Sequence, residues 1–193
     1  MSADRPSKHG AIVLAAGASK RLGRPKQLVE IGGEPLLRRA VDAALATTPH
    51  ECIVVLDESA PFDAVLAALD VRVVRISDAA TGMAASLRAG VAATDRECDG
   101  ALIVVTDQPA LDARHLHALC AAWHAAPAFA IASAYAGVIG VPALLPRSWF
   151  DAVAALSGDV GARELLRARA DVIAIAAPDL ARDIDTPDDV TRA

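Results

Sequence analysis

Aromatic residues and cysteines are both scarce in this chain. Phe, Trp and Tyr together make up 3% of the 193 residues, so there is little material for stacking the bases of a nucleic acid. The three cysteines, Cys52, Cys98 and Cys120, lie far apart and form no Cys-x-x-Cys pair. An odd number of scattered cysteines excludes a disulfide framework and favours a reducing compartment.

Long apolar runs and an excess of positive charge are lacking as well. The apolar stretches are too short to span a bilayer, and the first ten residues, MSADRPSKHG, contain no apolar core of a signal peptide. The formal net charge of −5 gives no electrostatic reason for a nucleic acid or a membrane as partner. We therefore expect a cytoplasmic protein with one domain over residues 1–193, of which residues 1–9 form a flexible tail.

What the chain does contain is an alternation of short apolar runs with amphipathic helical patterns. Continuous apolar strands of this kind are typical of a parallel sheet that is covered on both faces. The predicted fold is α/β: a single doubly wound, Rossmann-like, mostly parallel sheet with helices on both faces. Pro142 favours an edge or a bend for its strand. The predicted strands cover residues 11–15, 52–56, 71–76, 101–105, 128–135, 141–144 and 172–176, and the predicted helices follow Pro35 or cover residues 61–69, 83–93, 112–125 and 161–169.

A loop rich in small and basic residues follows the first predicted strand. Small residues allow the backbone to approach a phosphate chain, and free N–H groups there can form an anion nest. Four cations lie within seven positions: Lys20, Arg21, Arg24 and Lys26. The pattern is neither GxxxxGK[ST] nor GxGxxG, which disfavours kinase-type and dinucleotide-binding sites. An ordinary strand-to-helix turn with solvated charges is the structural alternative.

Two acidic motifs also follow predicted strands. Asp107 follows the predicted strand over residues 101–105. At that place its carboxylate can hold Mg²⁺ or can cap the next helix. Asp185 lies after the last strand and is a candidate second metal ligand, with Asp183 as its alternative. Thr186 and Pro187 read equally well as the start of a short helix. The histidines show no metal-ligand spacing, and no pattern suggests a covalent nucleophile.

Six segments together resemble a known family, and they follow the family's order over nearly the whole chain. The resemblance is to the NTP-transferase family of molybdenum cofactor cytidylyltransferase and molybdopterin-guanine dinucleotide synthase, and it is greatest to the cytidylyltransferase branch. The segments are LAAGASKRLGRPKQL (14–28), TGMAASLRAG (81–90), TDQP (106–109), GVP (140–142), GDVGAR (158–163) and DIDTPDD (183–189).

This resemblance implies a Mg²⁺-dependent nucleotidyltransferase that releases pyrophosphate. Arg21 and Lys26 would hold the triphosphate, Asp107 and Asp185 would bind Mg²⁺, and these four residues are the catalytic candidates. Relatives that use GTP have Gly at the position of Ala16, so CTP is favoured. The residues expected to border the nucleotide are Leu14, Ala15, Ala16, Gly17, Ser19, Arg21, Lys26, Gly82 and Ser86.

The implied acceptor is a small phosphorylated molecule, molybdopterin or the molybdenum cofactor, and a molybdoenzyme that receives the product is the implied protein partner. Two alternatives stay open. One is cytidylyl transfer to a sugar or polyol phosphate, although the methylerythritol enzymes carry a different segment in place of TDQP. The other is a non-catalytic nucleotide-binding module, since a fold alone does not determine function.

Overall fold

A computed structural model describes residues 6–79 and 82–192. Its centre is a seven-stranded sheet, to which a two-stranded hairpin is added. The sheet strands are β1 (His9–Leu14), β4 (Cys52–Asp57), β5 (Arg72–Ile76), β6 (Gly100–Val105), β7 (Ala130–Tyr135), β8 (Val138–Pro146) and β9 (Val172–Ala176), and the hairpin strands are β2 (Glu30–Ile31) and β3 (Glu34–Pro35). The order across the sheet is β5-β4-β1-β6-β8-β7-β9, and every neighbouring pair is parallel except the two that involve β8.

Helices cover both faces of the sheet, as predicted. Successive side chains of a strand point to opposite faces: Ala11 and Val13 belong to one buried cluster and Ile12 to the other. The first cluster packs under α1 (Leu36–Ala46), α2 (Asp63–Leu66) and α4 (Ala113–Ala125). The second packs under α3 (Met83–Ala93), α5 (Phe150–Ala154) and α6 (Ala162–Arg167), and the last helix is α7 (Pro187–Thr191). None of the helices in the described part of the chain has the length and hydropathy that crossing a bilayer requires.

The sequence predicted that Pro142 lies either in an edge strand or at a bend. The strand that contains Pro142 is an interior one, so the edge position was wrong and the bend was right. Strand β8 is antiparallel to both of its neighbours, β6 and β7. The register shifts between Ala132 and Ser133, which pair with Ala143 and Gly140. Val141 and Pro142 therefore form a bulge, where the missing N–H of proline costs no ladder hydrogen bond.

The first strand begins earlier than the sequence suggests, which shortens the predicted tail. His9 opens β1 and is buried, and the backbone N–H of Lys8 donates to Asp99 at 2.9 Å. His9 thus belongs to the sheet, and Lys8 is hydrogen-bonded to the segment before β6, whereas residues 1–5 lie outside the described part of the chain. Helix α2 is also shorter than the predicted helix over 61–69, and α5 was not predicted.

The buried His9 ring predicts a pH-dependent stability. Its Nε2 lies 3.0 Å from Oγ1 of Thr47, which itself donates to the carbonyl of Ala44 at 2.7 Å, so Nε2 carries a hydrogen and donates it to Thr47. Burial, followed by the charges of His124 and His117, lowers the pKa of His9 to about 4. Between pH 6.5 and 4 the unfolded chain binds a proton that the folded chain does not, so this contribution is complete above pH 6.5 and is lost on acidification.

We expect His9 to reduce the free energy of unfolding by about 3 kcal/mol as the pH falls from 6.5 to 4. The measurement is urea unfolding at several pH values for the wild type and for His9→Gln. Carboxylates titrate in both proteins, so the difference between the two curves isolates the histidine. If the free energies of unfolding of the two proteins change in parallel with pH, His9 does not have the lowered pKa that burial predicts.

Candidate active site

A cleft of about 810 Å³ opens at the carboxyl ends of β1, β4 and β6. Strand β1 has β4 on one side and β6 on the other, so the cleft lies where the chain switches direction across the sheet. Such switch points are the usual ligand sites of doubly wound sheets, and the volume suits a nucleotide-sized molecule. The cleft is lined by Leu14, Ala15, Ala16, Gly17, Ala18, Lys20, Pro25, Lys26, Gln27, Asp57, Ser59, Ala60, Pro61, Phe62, Ala79, Gly82, Met83, Ser86, Val105, Thr106, Asp107 and Asp159.

The β1 loop, residues 15–18, presents backbone donors at one side of this cleft. The N–H of Ala15 still donates to the carbonyl of Val55 at 2.9 Å, which ends the sheet pairing. The N–H groups of Ala16, Gly17 and Ala18 donate to no residue in the described ranges. A Cβ at Gly17 would meet nothing within 4 Å, so the loop faces open space there. Free N–H groups in such a loop suit an anion.

The chain turns sharply after the β1 loop and brings Lys26 back to the cleft. Ser19 has a left-handed backbone (φ 49°), and its Oγ accepts a hydrogen bond from the N–H of Lys26 at 3.0 Å. Leu22, in the middle of the turn, is buried against Val29 and Ile184. The hydroxyl of Ser19 therefore closes the turn, whereas Arg21 remains mostly exposed.

Lys26 is the centre of a charged cluster. Its Nζ lies 2.9 Å from Oδ2 of Asp107 and 3.1 Å from Oδ1 of Asp185, and its side chain is only 13% exposed. The other oxygen of Asp185 accepts a hydrogen bond from Nη2 of Arg21 at 2.7 Å. The structure thus brings together all four residues that the sequence singled out for the chemistry, from three distant parts of the chain.

The two carboxylates are held in place by backbone contacts. The N–H of Ile184 donates to the carbonyl of Asp107 at 2.8 Å, which fastens the segment after β9 to the end of β6. Oδ2 of Asp189 accepts from the N–H groups of Asp185 and Thr186, at 3.2 and 2.8 Å. Thr186 precedes α7 and Pro187 is its first residue, as predicted. The capping of α7 therefore also fixes the backbone at Asp185.

The electrostatics of the cluster follow from this crowding. Burial lowers the pKa of Lys26, but the charges and hydrogen bonds of Asp107 and Asp185 outweigh it, so the pKa is raised overall. Asp183 is exposed at the surface, yet partial burial of its carboxyl group and then the charges of Asp107 and Asp185 raise its pKa to about 6. Asp107, Asp183 and Asp185 thus lie close enough to influence one another, and the cations Lys26 and Arg163 partly offset their charge.

The donor set fits a hard divalent cation that also binds a phosphate. Within the described ranges no three His, Cys, Asp or Glu side chains are placed to hold a metal ion. The oxygens of Asp107 and Asp185 do converge on one cation, the ammonium of Lys26. Mg²⁺ is commonly held by one or two carboxylates plus substrate phosphates, so these two residues suffice for such a site.

The remaining candidates lie at the start of α3. Gly82 has φ 124°, and a Cβ there would lie 2.2 Å from the carbonyl oxygen of Gly158, so the backbone of residues 158–159 packs directly on it. The N–H of Ala84 donates to that same carbonyl at 3.1 Å. Gly82 and Ser86 both line the cleft. Thr81, from the same motif, lies outside the described residues.

Two buried glutamines were missed by the sequence analysis. Gln27 follows Lys26 and Gln108 follows Asp107, and both are nearly fully buried. Nε2 of Gln27 donates to the carbonyls of Ala15 and Gly17, whereas Nε2 of Gln108 donates to the carbonyl of Val141. A glutamine directly after Lys26 and another directly after Asp107 were the available signal, but a sequence does not show which carbonyls these side chains meet.

Comparison with known proteins identifies the family. Residues 11–172 match the family described as "MobA-like NTP transferase domain". Nicotine blue oxidoreductase of Paenarthrobacter nicotinovorans is 32% identical over 94% of each chain. Purine catabolism protein PucB of Bacillus subtilis is 32% identical over 81% of this chain and 79% of its own.

A solved structure of similar shape is that of Rv0371c from Mycobacterium tuberculosis H37Rv. It superimposes with a TM-score of 0.85, at 29% identity and over 98% of both chains. A second structure of Rv0371c, in complex with manganese, gives a TM-score of 0.79 at 26% identity, over 97% of this chain and 98% of that one. Because the family description spans most of the chain and the relatives match nearly end to end, the chain belongs to the MobA-like NTP transferase family and is a nucleotidyltransferase.

Proposed function

We propose that this protein transfers CMP from CTP to a phosphorylated acceptor of the molybdopterin type, with Mg²⁺, and releases pyrophosphate. The observation that carries the proposal is the ammonium of Lys26 held between Asp107 and Asp185, beside a loop with unused N–H groups. Cations, carboxylates and backbone donors at one cleft form the equipment that phosphoryl and nucleotidyl transfer needs.

The chain's own residues divide the task between them. The N–H groups of the β1 loop, with Lys26 and Arg21, bind and orient the triphosphate and offset its charge. Lys26, which is mostly buried, is positioned for the phosphates nearest the reacting centre, whereas the exposed Arg21 reaches the outer ones. In-line alignment of the acceptor and the nucleotide supplies much of the remaining rate.

Asp107 and Asp185 would hold the metal ion. When bound, Mg²⁺ would neutralise charge on the phosphates and on the leaving pyrophosphate. Asp185 is proposed rather than Asp183 because Asp185 contacts Lys26 and Arg21 directly. The acceptor is a phosphate monoester, which is already anionic near neutral pH, so no general base is required. Correspondingly, none of the described residues that line the cleft is His or Cys.

A second candidate function is suggested by one relative alone. Nicotine blue oxidoreductase carries the name of a redox enzyme, and it aligns with 94% of this chain. A dinucleotide reductant would also place its pyrophosphate against a basic loop. The pair of carboxylates around Lys26 favours metal-assisted transfer instead, because Mg²⁺ is commonly held by one or two carboxylates together with substrate phosphates.

One assay separates these candidates. The purified protein is incubated with CTP, GTP or ATP, with Mg²⁺ or Mn²⁺, and with molybdopterin or a sugar phosphate, and pyrophosphate release is followed. Parallel samples receive reduced nicotinamide dinucleotides, whose oxidation is read by absorbance. Release that depends on CTP, metal and molybdopterin supports the proposal. Binding without turnover supports a non-catalytic module, and dinucleotide oxidation without pyrophosphate release supports the redox enzyme.

Asp107→Asn tests the carboxylate. The amide keeps the shape but removes the charge that faces Lys26, so we expect kcat to fall by about 10²–10³ with little change in melting temperature. The matched control is Asp42→Asn, which removes a carboxylate paired with Arg38 on the surface of α1 and leaves turnover unchanged. Near-normal turnover of Asp107→Asn with Mg²⁺ would refute the assigned role.

Ala16 tests the choice of base. It is 5% exposed and lines the cleft, so its methyl group narrows the β1 loop and disfavours a purine. One methyl group in a pocket is worth about 1–3 kcal/mol, which predicts a CTP preference over GTP of about ten- to a hundredfold in kcat/KM. Ala16→Gly should reduce this preference without inverting it. A GTP preference in the unmodified protein would exclude the cytidylyl assignment but not nucleotidyl transfer.

A further inference from the structure

The side chain of Gln27 is buried directly beneath the β1 loop. It is 2% exposed, and its Nε2 donates to the carbonyls of Ala15 and Gly17 at 2.7 and 2.9 Å. Both partners are carbonyl oxygens, which only accept hydrogen bonds, so the amide orientation is set by its surroundings. One side chain therefore holds two carbonyls of the loop, two residues apart, on the same side.

Peptide geometry converts this contact into a property of the loop. In a trans peptide unit the C=O and the following N–H point in opposite directions. Holding the carbonyls of Ala15 and Gly17 toward Gln27 turns the N–H groups of Ala16 and Ala18 away from it. These two N–H groups have no acceptor in the described ranges, and both residues line the cleft.

The other half of the amide, Oε1 of Gln27, has a different environment. Its Oε1 is buried and has no hydrogen-bond partner within the described structure. A buried acceptor without a partner is unfavourable, and such groups are rare in folded proteins. In the described structure the two N–H donors of Gln27 are therefore used, whereas its oxygen is unpaired.

We propose that Gln27 is a positioning residue for the triphosphate: it fixes the carbonyls of Ala15 and Gly17 so that the N–H groups of Ala16 and Ala18 face the anion. This inference rests on the proposed function for the identity of the anion. Gln27 is 2% exposed, so its role toward the nucleotide is indirect. It acts through the backbone, and its loss weakens nucleotide binding without affecting the acceptor.

Two substitutions remove the N–H donors of Gln27 while keeping the size of its side chain, so they show whether the hydrogen bonds or the packing of this residue matters. Gln27→Met keeps the length and removes both donors, and Gln27→Glu keeps the shape but cannot donate when ionised. The control is Thr47→Val, which removes a buried hydrogen bond at the opposite, amino-terminal end of β1. Calorimetry measures binding of CTP with MgCl₂ and, separately, of inorganic pyrophosphate. Steady-state kinetics give KM for each substrate.

We expect Gln27→Met to weaken the binding of CTP and of pyrophosphate by at least about tenfold, which corresponds to about 1.4 kcal/mol. The KM for CTP rises while the KM for the acceptor stays within about twofold, and the melting temperature stays within roughly 5 °C of the wild type. Gln27→Glu weakens binding further, since its charge also repels the anion. Thr47→Val lowers the melting temperature but not the affinity. Unchanged affinity in a folded Gln27→Met protein overturns the proposal.

A measurement on the wild type covers the case in which the variants fail to fold. Addition of pyrophosphate to the ¹⁵N-labelled protein should shift the amide signals of Ala16 and Ala18 more than those at the amino-terminal end of β1. Binding of pyrophosphate without these shifts overturns the proposal.

The outcomes also separate this inference from the proposed function. Wild-type turnover combined with unaffected Gln27 variants rejects the role of Gln27 alone. Pyrophosphate binding that depends on Gln27, without any nucleotidyl transfer, rejects the proposed function alone. A wild type that binds neither CTP nor pyrophosphate rejects both.

Discussion

The contact of Lys26 with Asp107 and Asp185 is the interaction on which the rest of the site depends. It joins the turn after β1, which contains Lys26, to the end of β6 and to the segment after β9. Along the chain, Asp107 lies 81 residues from Lys26 and Asp185 lies 159 residues from it. With the lysine side chain largely buried, this ion pair is screened less than a surface pair. The same three groups that hold these segments together are those proposed to bind the triphosphate and its metal ion.

The sheet makes this arrangement possible. Strands β1 and β6 are adjacent and parallel, so the loops that follow them leave the sheet at the same edge. The third segment arrives from the far side of the sheet and is fastened by the contact between Ile184 and Asp107 and by the capping of α7. Rigid strands and short backbone hydrogen bonds thus place the carboxylates, and little is left to flexible side chains.

The sequence was informative where the pattern is local. Continuous apolar runs located the parallel strands, and helix α3 was predicted at Met83–Ala93, where the structure places it. The motifs also identified the charged residues that meet in the cleft. Pro142 misled in part because a bulge inside a sheet depends on the partner strand, which a single strand's sequence does not show. Gln27 escaped notice because its partners are backbone carbonyls, which carry no residue identity. The experiments proposed in the Results test the roles of the charged residues and of Gln27 in binding and turnover.

The close approach of Gly82 to Gly158 links two segments that are 76 positions apart. With no room for a single carbon atom between them, the start of α3 and the loop after α5 form one wall of the cleft and shift only together. Because Gly82 also has a φ of 124°, any side chain at position 82 is strained even if the backbone of residues 158–159 moves away, so a library of variants that reshapes this wall should keep glycine at position 82.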